Sequence, residues 1–125
     1  MAINLKKTAT FLLGIFFILA GINHFVMPEF YYPLIPDYLP FPVLINYSAG
    51  IIEVLLGLGV LINRSRYFAA LGIVVLMVLF IPSHVHFIVI GSCVEDGLCV
   101  HPSLAWIRLV VIHPLLILWA WWCRK

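Results

Sequence analysis

Residues 43–66 read VLINYSAGIIEVLLGLGVLINRSR. For twenty positions, 43–62, the only charged side chain is Glu53, and the run then stops at Asn63-Arg64-Ser65-Arg66. About 20 apolar residues in a helix span the hydrocarbon core of a bilayer, and a polar, basic turn marks where such a helix leaves it. Working outward, three further stretches have the same character: 8–27 before it, 67–90 and 103–122 after it. The sequence therefore predicts one all-α transmembrane domain over residues 1–125, an integral membrane four-helix bundle.

Composition carries the same message. Hydrophobic residues make up 65% of the 125, and Asp, Glu, Lys and Arg only 10%, against roughly 25% charged in a soluble domain. So short a chain cannot hide that much apolar surface in one core, so the lipid bilayer must be part of its solvent. A nucleic-acid partner is not expected, because most Lys and Arg sit at the chain ends and one turn and form no basic helix face. Lys6 and Lys7 ahead of the apolar run Phe11–Ala20 imitate a signal peptide. No small-x-small cleavage motif follows, so the segment reads as an uncleaved first span.

Charge placement sets the direction. Lys6, Lys7, Arg64, Arg66, Arg124 and Lys125 fall on one side of a four-span topology, and Glu29, Asp37, Glu95 and Asp96 on the other. The positive-inside rule then puts both termini in the cytoplasm. Trp119, Trp121 and Trp122 would mark the cytoplasmic interface, and Tyr31, Tyr32 and Tyr38 the outer one. The first outer loop, PEFYYPLIPDYLPFP from Pro28 to Pro42, holds five prolines and five aromatic residues. Proline blocks helix and removes backbone donors, so the loop is expected to be extended or kinked. It serves either as an interfacial connector or as a lid over a site.

Glu53 and Arg108 are the ionisable residues inside the spans that need explaining, since each costs at least ~2.5–3.5 kcal/mol on insertion scales. At 1.5 Å per residue Glu53 lies about 15 Å below the outer boundary and Arg108 about 8 Å. A Glu53–Arg108 pair between the second and fourth helices is the expectation that follows. In the second span Asn46, Gly50, Glu53 and Gly57 recur at helical spacing; in the first, Gly14, Phe17, Gly21 and His24 do the same. Both stripes mix small residues, which let helices approach, with a polar group. A plain packing stripe accounts for the glycines but not for Glu53.

Histidines extend the cluster. His24 with its neighbour Asn23, and His84, lie toward the outer ends of their helices, in the leaflet of Arg108. His84 and His86 point about 200° apart on a regular helix, although Pro82 can disturb that geometry. His113, five residues beyond Arg108 and next to a kink at Pro114, is placed on another face as a packing or interhelix hydrogen-bonding residue. His24, Glu53 and His84 could meet at a metal, and two histidines could ligate haem, but no diagnostic spacing is present. No metal or haem is expected. Cys93 and Cys99 flank Val94–Leu98 in the second outer loop, where a Glu95-Asp96-Gly97 turn with Gly97 left-handed sets them opposite each other. On an oxidising side this predicts a structural disulfide, with a redox-active pair as the less favoured alternative. Cys123 is expected as a free thiol.

Several strings resemble the DoxX-like family of small membrane proteins. They are Gly21-Ile22-Asn23-His24-Phe25 with Pro28 and Phe30, Ile35-Pro36 and Leu39-Pro40-x-Pro42, Ser48-Ala49-Gly50-Ile51-Ile52-Glu53 with Gly57, Phe80-Ile81-Pro82-Ser83-His84, and Ile107-Arg108-Leu109. The resemblance runs over nearly the whole chain. The family pattern usually continues from the arginine towards a glutamine, whereas here the run is Leu109-Val-Val-Ile-His113, and the Cys93–Cys99 loop is a local elaboration. What the resemblance implies is a four-helix bundle in a bacterial inner (plasma) membrane, some of whose relatives serve redox systems; it implies fold far better than reaction.

Three functions remain open. In the first, a redox-associated subunit of a membrane oxidoreductase complex binds a quinone or another amphipathic ligand among His24, Glu53, His84 and Arg108, with Asn23 nearby. Its partner would be a membrane or extracytoplasmic redox protein. In the second, a non-enzymatic accessory or chaperone-like protein uses the polar cluster to hold its bundle together. In the third, a small proton-coupled transporter works as a homo-oligomer.

Overall fold

The computed structural model describes residues 4–125. Four helices are long and apolar enough to cross a membrane: Leu5–Val26, Pro42–Leu61, Arg66–Val89 and Pro102–Cys123. The first and second spans are continuous helices, α1 (Leu5–Val26) and α3 (Pro42–Leu61). The third and fourth are each interrupted where the sequence supplies a proline. The third divides at Phe80 into α4 (Arg66–Leu79) and α5 (Ile81–Val89), with Pro82 in the first turn of α5. The fourth runs from α6 (Pro102–Ile107) through a π-helical turn, Arg108–Ile112, into α7 (His113–Cys123). Pro114 has no N–H and its ring crowds the carbonyl four residues back. The turn before it widens, and the His113 N–H bonds the Arg108 carbonyl, a five-residue step.

The termini and the 62–65 turn share one end of the bundle. There the Trp119 indole N–H donates to the Ala9 carbonyl at 3.1 Å, fastening α7 to α1, and Lys6 lies 6.0 Å from the Trp122 ring centroid. Leu13, Phe17, Val60, Ile73 and Ala120 fill the core below, and the buried Cys123 is a free thiol. A second, smaller core at the other end packs Leu34 against Phe87 and Ala105 beneath the two long loops.

α1 and α3 meet at backbone distance. A Cβ on Gly21 would lie 2.6 Å from the Gly50 carbonyl oxygen, and one on Gly57 would lie 2.7 Å from that of Gly14. The small-residue stripes of the two spans thus face each other.

The loops depart from expectation in two places. The Pro-rich segment is not simply extended: it begins with a helical turn, α2 (Pro28–Tyr31), and a 3₁₀ turn over Tyr32–Leu34. Pro28 and Pro33 occupy first-turn positions, where a missing N–H removes no helical hydrogen bond. Phe41, at φ 57°, then turns the chain into α3. In the second loop Cys93 and Cys99 are disulfide-bonded across an antiparallel bridge. The left-handed residue of the intervening turn is Asp96, at φ 58°, rather than Gly97. The Gly97 N–H bonds the Val94 carbonyl at 3.1 Å, so Asp96 is the third residue of a β-turn, where a short polar side chain tolerates positive φ.

Candidate functional site

The approach of α1 to α3 dictates the centre of the site. A Cβ on Gly50 would lie 2.8 Å from the Cβ of His24, so the glycine opens the space that the imidazole occupies. One turn on, Glu53 presents its carboxylate to the same ring, with His24 Nε2 3.2 Å from Glu53 Oε2. The expected Glu53–Arg108 pair is not formed: Glu53 is held by His24, and Arg108 makes no ion pair among the described residues. The glycine seam is the reason. It brings α1 within contact of Glu53, whereas α6 approaches through α5 and the loops.

Asn46, one turn before Gly50 on the same face, fixes the other side of His24. Its amide Nδ2 donates to the His24 carbonyl at 3.0 Å, and its Oδ1 lies 2.6 Å from His24 Nδ1. Turning the amide over would set oxygen against a carbonyl oxygen, so Oδ1 accepts and Nδ1 carries a hydrogen. Nε2 is left facing the carboxylate. Imidazolium against carboxylate and neutral imidazole against carboxylic acid differ only in where one proton sits. One proton shared between them makes the pair neutral as a unit, which suits its burial, with His24 8% and Glu53 4% exposed. Glu53 Oε2 is close to the ring but not aligned for a hydrogen bond, and it has no other partner.

The Pro-rich loop covers this pair. Tyr31 stacks on His24 with ring centroids 3.9 Å apart, and Asn23 Nδ2 donates to the Tyr31 hydroxyl at 2.7 Å. That leaves the phenolic hydrogen available to a further acceptor. Burial pushes the Tyr31 phenol above its usual pKa, so it stays a neutral donor throughout the physiological range. Ser83 on α5 donates to the Leu34 carbonyl at 2.8 Å and ties the loop to the third span.

Opposite the pair, the two helix interruptions bring in the remaining polar groups. His84 and His113 meet edge to face, 4.5 Å apart, and His113 Nε2 donates to the Met77 carbonyl just before the break at Phe80. The assignment of His113 to interhelix hydrogen bonding agrees with this contact, but its placement on a different face from Arg108 does not hold. In a π turn five residues come close to one full rotation, so Arg108 and His113 line the same space. Arg108 sits 5.9 Å from the Phe87 ring centroid, and His84 Nδ1 is buried without a partner among the described residues.

These groups surround one cavity of about 370 Å³. His24, Glu53, His84 and Arg108 all line it, and so do Tyr31 and His113; Asn23 stands behind Tyr31. Its remaining walls are mainly apolar and come from all four spans and the Pro-rich loop. No group of three or more His, Cys, Asp or Glu side chains arranged to hold a metal exists among the described residues. Sequence reasoning passed over Asn46 and Tyr31 as site residues. Asn46 was visible as the polar member of the Gly50–Gly57 stripe; Tyr31 carried no signal beyond its membership of an aromatic loop.

The model of the family described as Domain of unknown function (DUF8561) matches residues 13–124. No curated protein and no solved structure matches the chain. The matched range contains every residue of the cavity, and the chain belongs to this family.

Proposed function

We propose that this family member is a membrane protein that binds the polar head of an amphipathic molecule in the cavity at the loop end of the bundle. The observation that carries this reading is Arg108: a half-buried cation lining a largely apolar cavity, with no ion pair among the described residues. Because Glu53 lies against His24 and not against Arg108, the guanidinium's charge is left for an acceptor brought by a ligand. Its planar N–H groups suit a carbonyl or carboxylate oxygen.

A quinone fits these groups. Arg108 and the Tyr31 hydroxyl offer donors to a ring carbonyl, the aromatic walls accept the ring, and the His24–Glu53 pair holds a proton that reduction to a quinol would consume. The electrons and a second proton would come from a membrane or extracytoplasmic redox partner. The resemblance to DoxX-like proteins supports that association, with the loop end facing outward as the basic residues at the termini suggest. An accessory role in assembly is the second reading. It is favoured by Tyr38 and Phe41, 75% and 71% exposed on the loop, which offer an aromatic docking rim.

Titrating the purified protein with a short-chain quinone analogue, and identifying co-purified lipids by mass spectrometry, tests the proposal. A rise in melting temperature on binding that disappears in Arg108→Met is expected. No response in the wild type, together with a stoichiometric protein partner held through the loop, would favour assembly instead.

A further inference from the structure

At the opposite end of the bundle a second cavity, of about 380 Å³, opens between the start of α1, the turn after α3 and the last residues of the chain. Lys6, Lys7, Arg66 and Lys125 all line it. Among the described residues no carboxylate side chain lines this cavity: Glu53 lies within α3, and Glu29, Asp37, Glu95 and Asp96 lie in the loops at the far end. Two helices also begin here, α1 at Leu5 and α4 at Arg66; Asn4 caps the first by accepting the Lys7 N–H at 3.1 Å, whereas α4 has no side-chain cap, so its first-turn N–H groups add positive potential at the same place.

One of the cations is fixed in place. Arg66 Nε donates to the Val60 carbonyl at 2.8 Å, which holds the half-buried guanidinium at the cavity wall and leaves its terminal nitrogens to a ligand. Arg64 provides the contrast. It carries the same charge two residues earlier but lines no part of the cavity. Topology alone asks for cations at this end; it does not ask for a cavity, nor for one arginine anchored at its wall. The remaining walls include Phe11 and Leu61, and Phe11 is 57% exposed on the lipid-facing side of α1. An anion seated among the cations would therefore have apolar surface leading away from it along the bundle.

We infer that this cavity binds the phosphate headgroup of an anionic phospholipid from the leaflet at the terminal end, with Arg66 and the Lys6–Lys7 pair on the phosphate and the acyl chains running along Phe11. Basic pockets at helix ends recognise lipid phosphates by this combination of charge and adjacent apolar surface. The site is separate from the cavity at the loop end and does not depend on what that cavity holds.

The test is native mass spectrometry of the full chain released from bilayers of mixed phosphatidylglycerol and phosphatidylcholine. Wild type should retain phosphatidylglycerol preferentially, and Arg66→Gln should cut the preference about fivefold, the scale of one cation at a charged surface. Arg64→Gln, the charge-matched control, should leave it nearly intact. Lys6→Gln/Lys7→Gln, whose side chains make no hydrogen bond within the described bundle, should reproduce the loss, so that a folding defect in Arg66→Gln cannot decide the outcome. Added inorganic phosphate should not displace the lipid. No preference in wild type, equal losses in Arg64→Gln and Arg66→Gln, or displacement by inorganic phosphate would each overturn the assignment.

Discussion

Where α1 meets α3, backbone lies against backbone; where α5 meets the fourth span, both helices are interrupted and a cavity opens. The first interface is made by Gly14, Gly21, Gly50 and Gly57, each leaving room for the opposite chain. It holds the His24–Glu53–Asn46 cluster in one arrangement. The second is made by Pro82 and Pro114, which remove backbone donors and widen or break the helix before them. It holds Arg108 and His84 with unmet hydrogen-bonding capacity. The difference separates two uses of polar groups inside an apolar bundle. On the glycine side they hold one another and fix the packing, with Glu53 Oε2 close to His24 but short of an aligned hydrogen bond. On the proline side they are left facing space, where a ligand can use them.

Breaking the satisfied side should have the largest effect. Glu53→Ala strands His24 in an apolar interior, and losing one partner of a buried pair costs about 3–5 kcal/mol; reversible unfolding in mixed micelles would measure it. Next comes the seam. Gly21→Ala places a methyl 2.6 Å from a backbone oxygen that cannot turn aside, and should cost about 1–3 kcal/mol. Gly72→Ala meets only the end of the Leu56 side chain, at 2.7 Å, and should cost less than about 1 kcal/mol in the same assay. Equal losses at the two glycines would mean that the seam is no tighter than the rest of the bundle.

On the unsatisfied side the expected pattern is inverted. Arg108→Met removes a cation that no carboxylate compensates, so stability should stay within about 1 kcal/mol of wild type or rise. Binding of the quinone analogue, followed by intrinsic fluorescence, should weaken by about tenfold or more, the equivalent of 1.4 kcal/mol. The smallest effect concerns Tyr31. Its phenol ionises above the usual range when folded, so the folded state keeps that proton when the unfolded chain has begun to lose it. Stability should fall as pH rises past about 10, where an ordinary tyrosine ionises. Tyr31→Phe should be spared that share of the loss, as thermal melts across the alkaline range would show.

The four long helices were legible because lipid imposes a simple demand, namely enough consecutive apolar residues to cover the core. The stripes Gly14–His24 and Asn46–Gly57 were legible too, since helical spacing reveals a shared face. Which stripe faces which was not. Depth counting pointed to Arg108 as the partner of Glu53, because rise per residue gives height and says nothing of lateral neighbours. Only the contact between Gly21 and Gly50 decides it. The joint presence of Arg108 and His113 in one cavity was hidden for a related reason. A sequence read at 3.6 residues per turn assigns them to different faces, and the π turn ahead of Pro114 changes the period locally. The expectation of an extended or kinked Pro-rich loop missed the helical turns at Pro28 and Pro33, since proline at the start of a helical turn fits it.

In this bundle Glu53 belongs to His24, and Arg108 is left for a ligand. Paired double-mutant cycles of unfolding free energy measure this directly: Glu53→Gln with His24→Asn, and Glu53→Gln with Arg108→Met. The structure predicts a coupling of about 1 kcal/mol or more in the first cycle and additivity within about 0.5 kcal/mol in the second. Coupling between Glu53 and Arg108, with His24 additive, would contradict it.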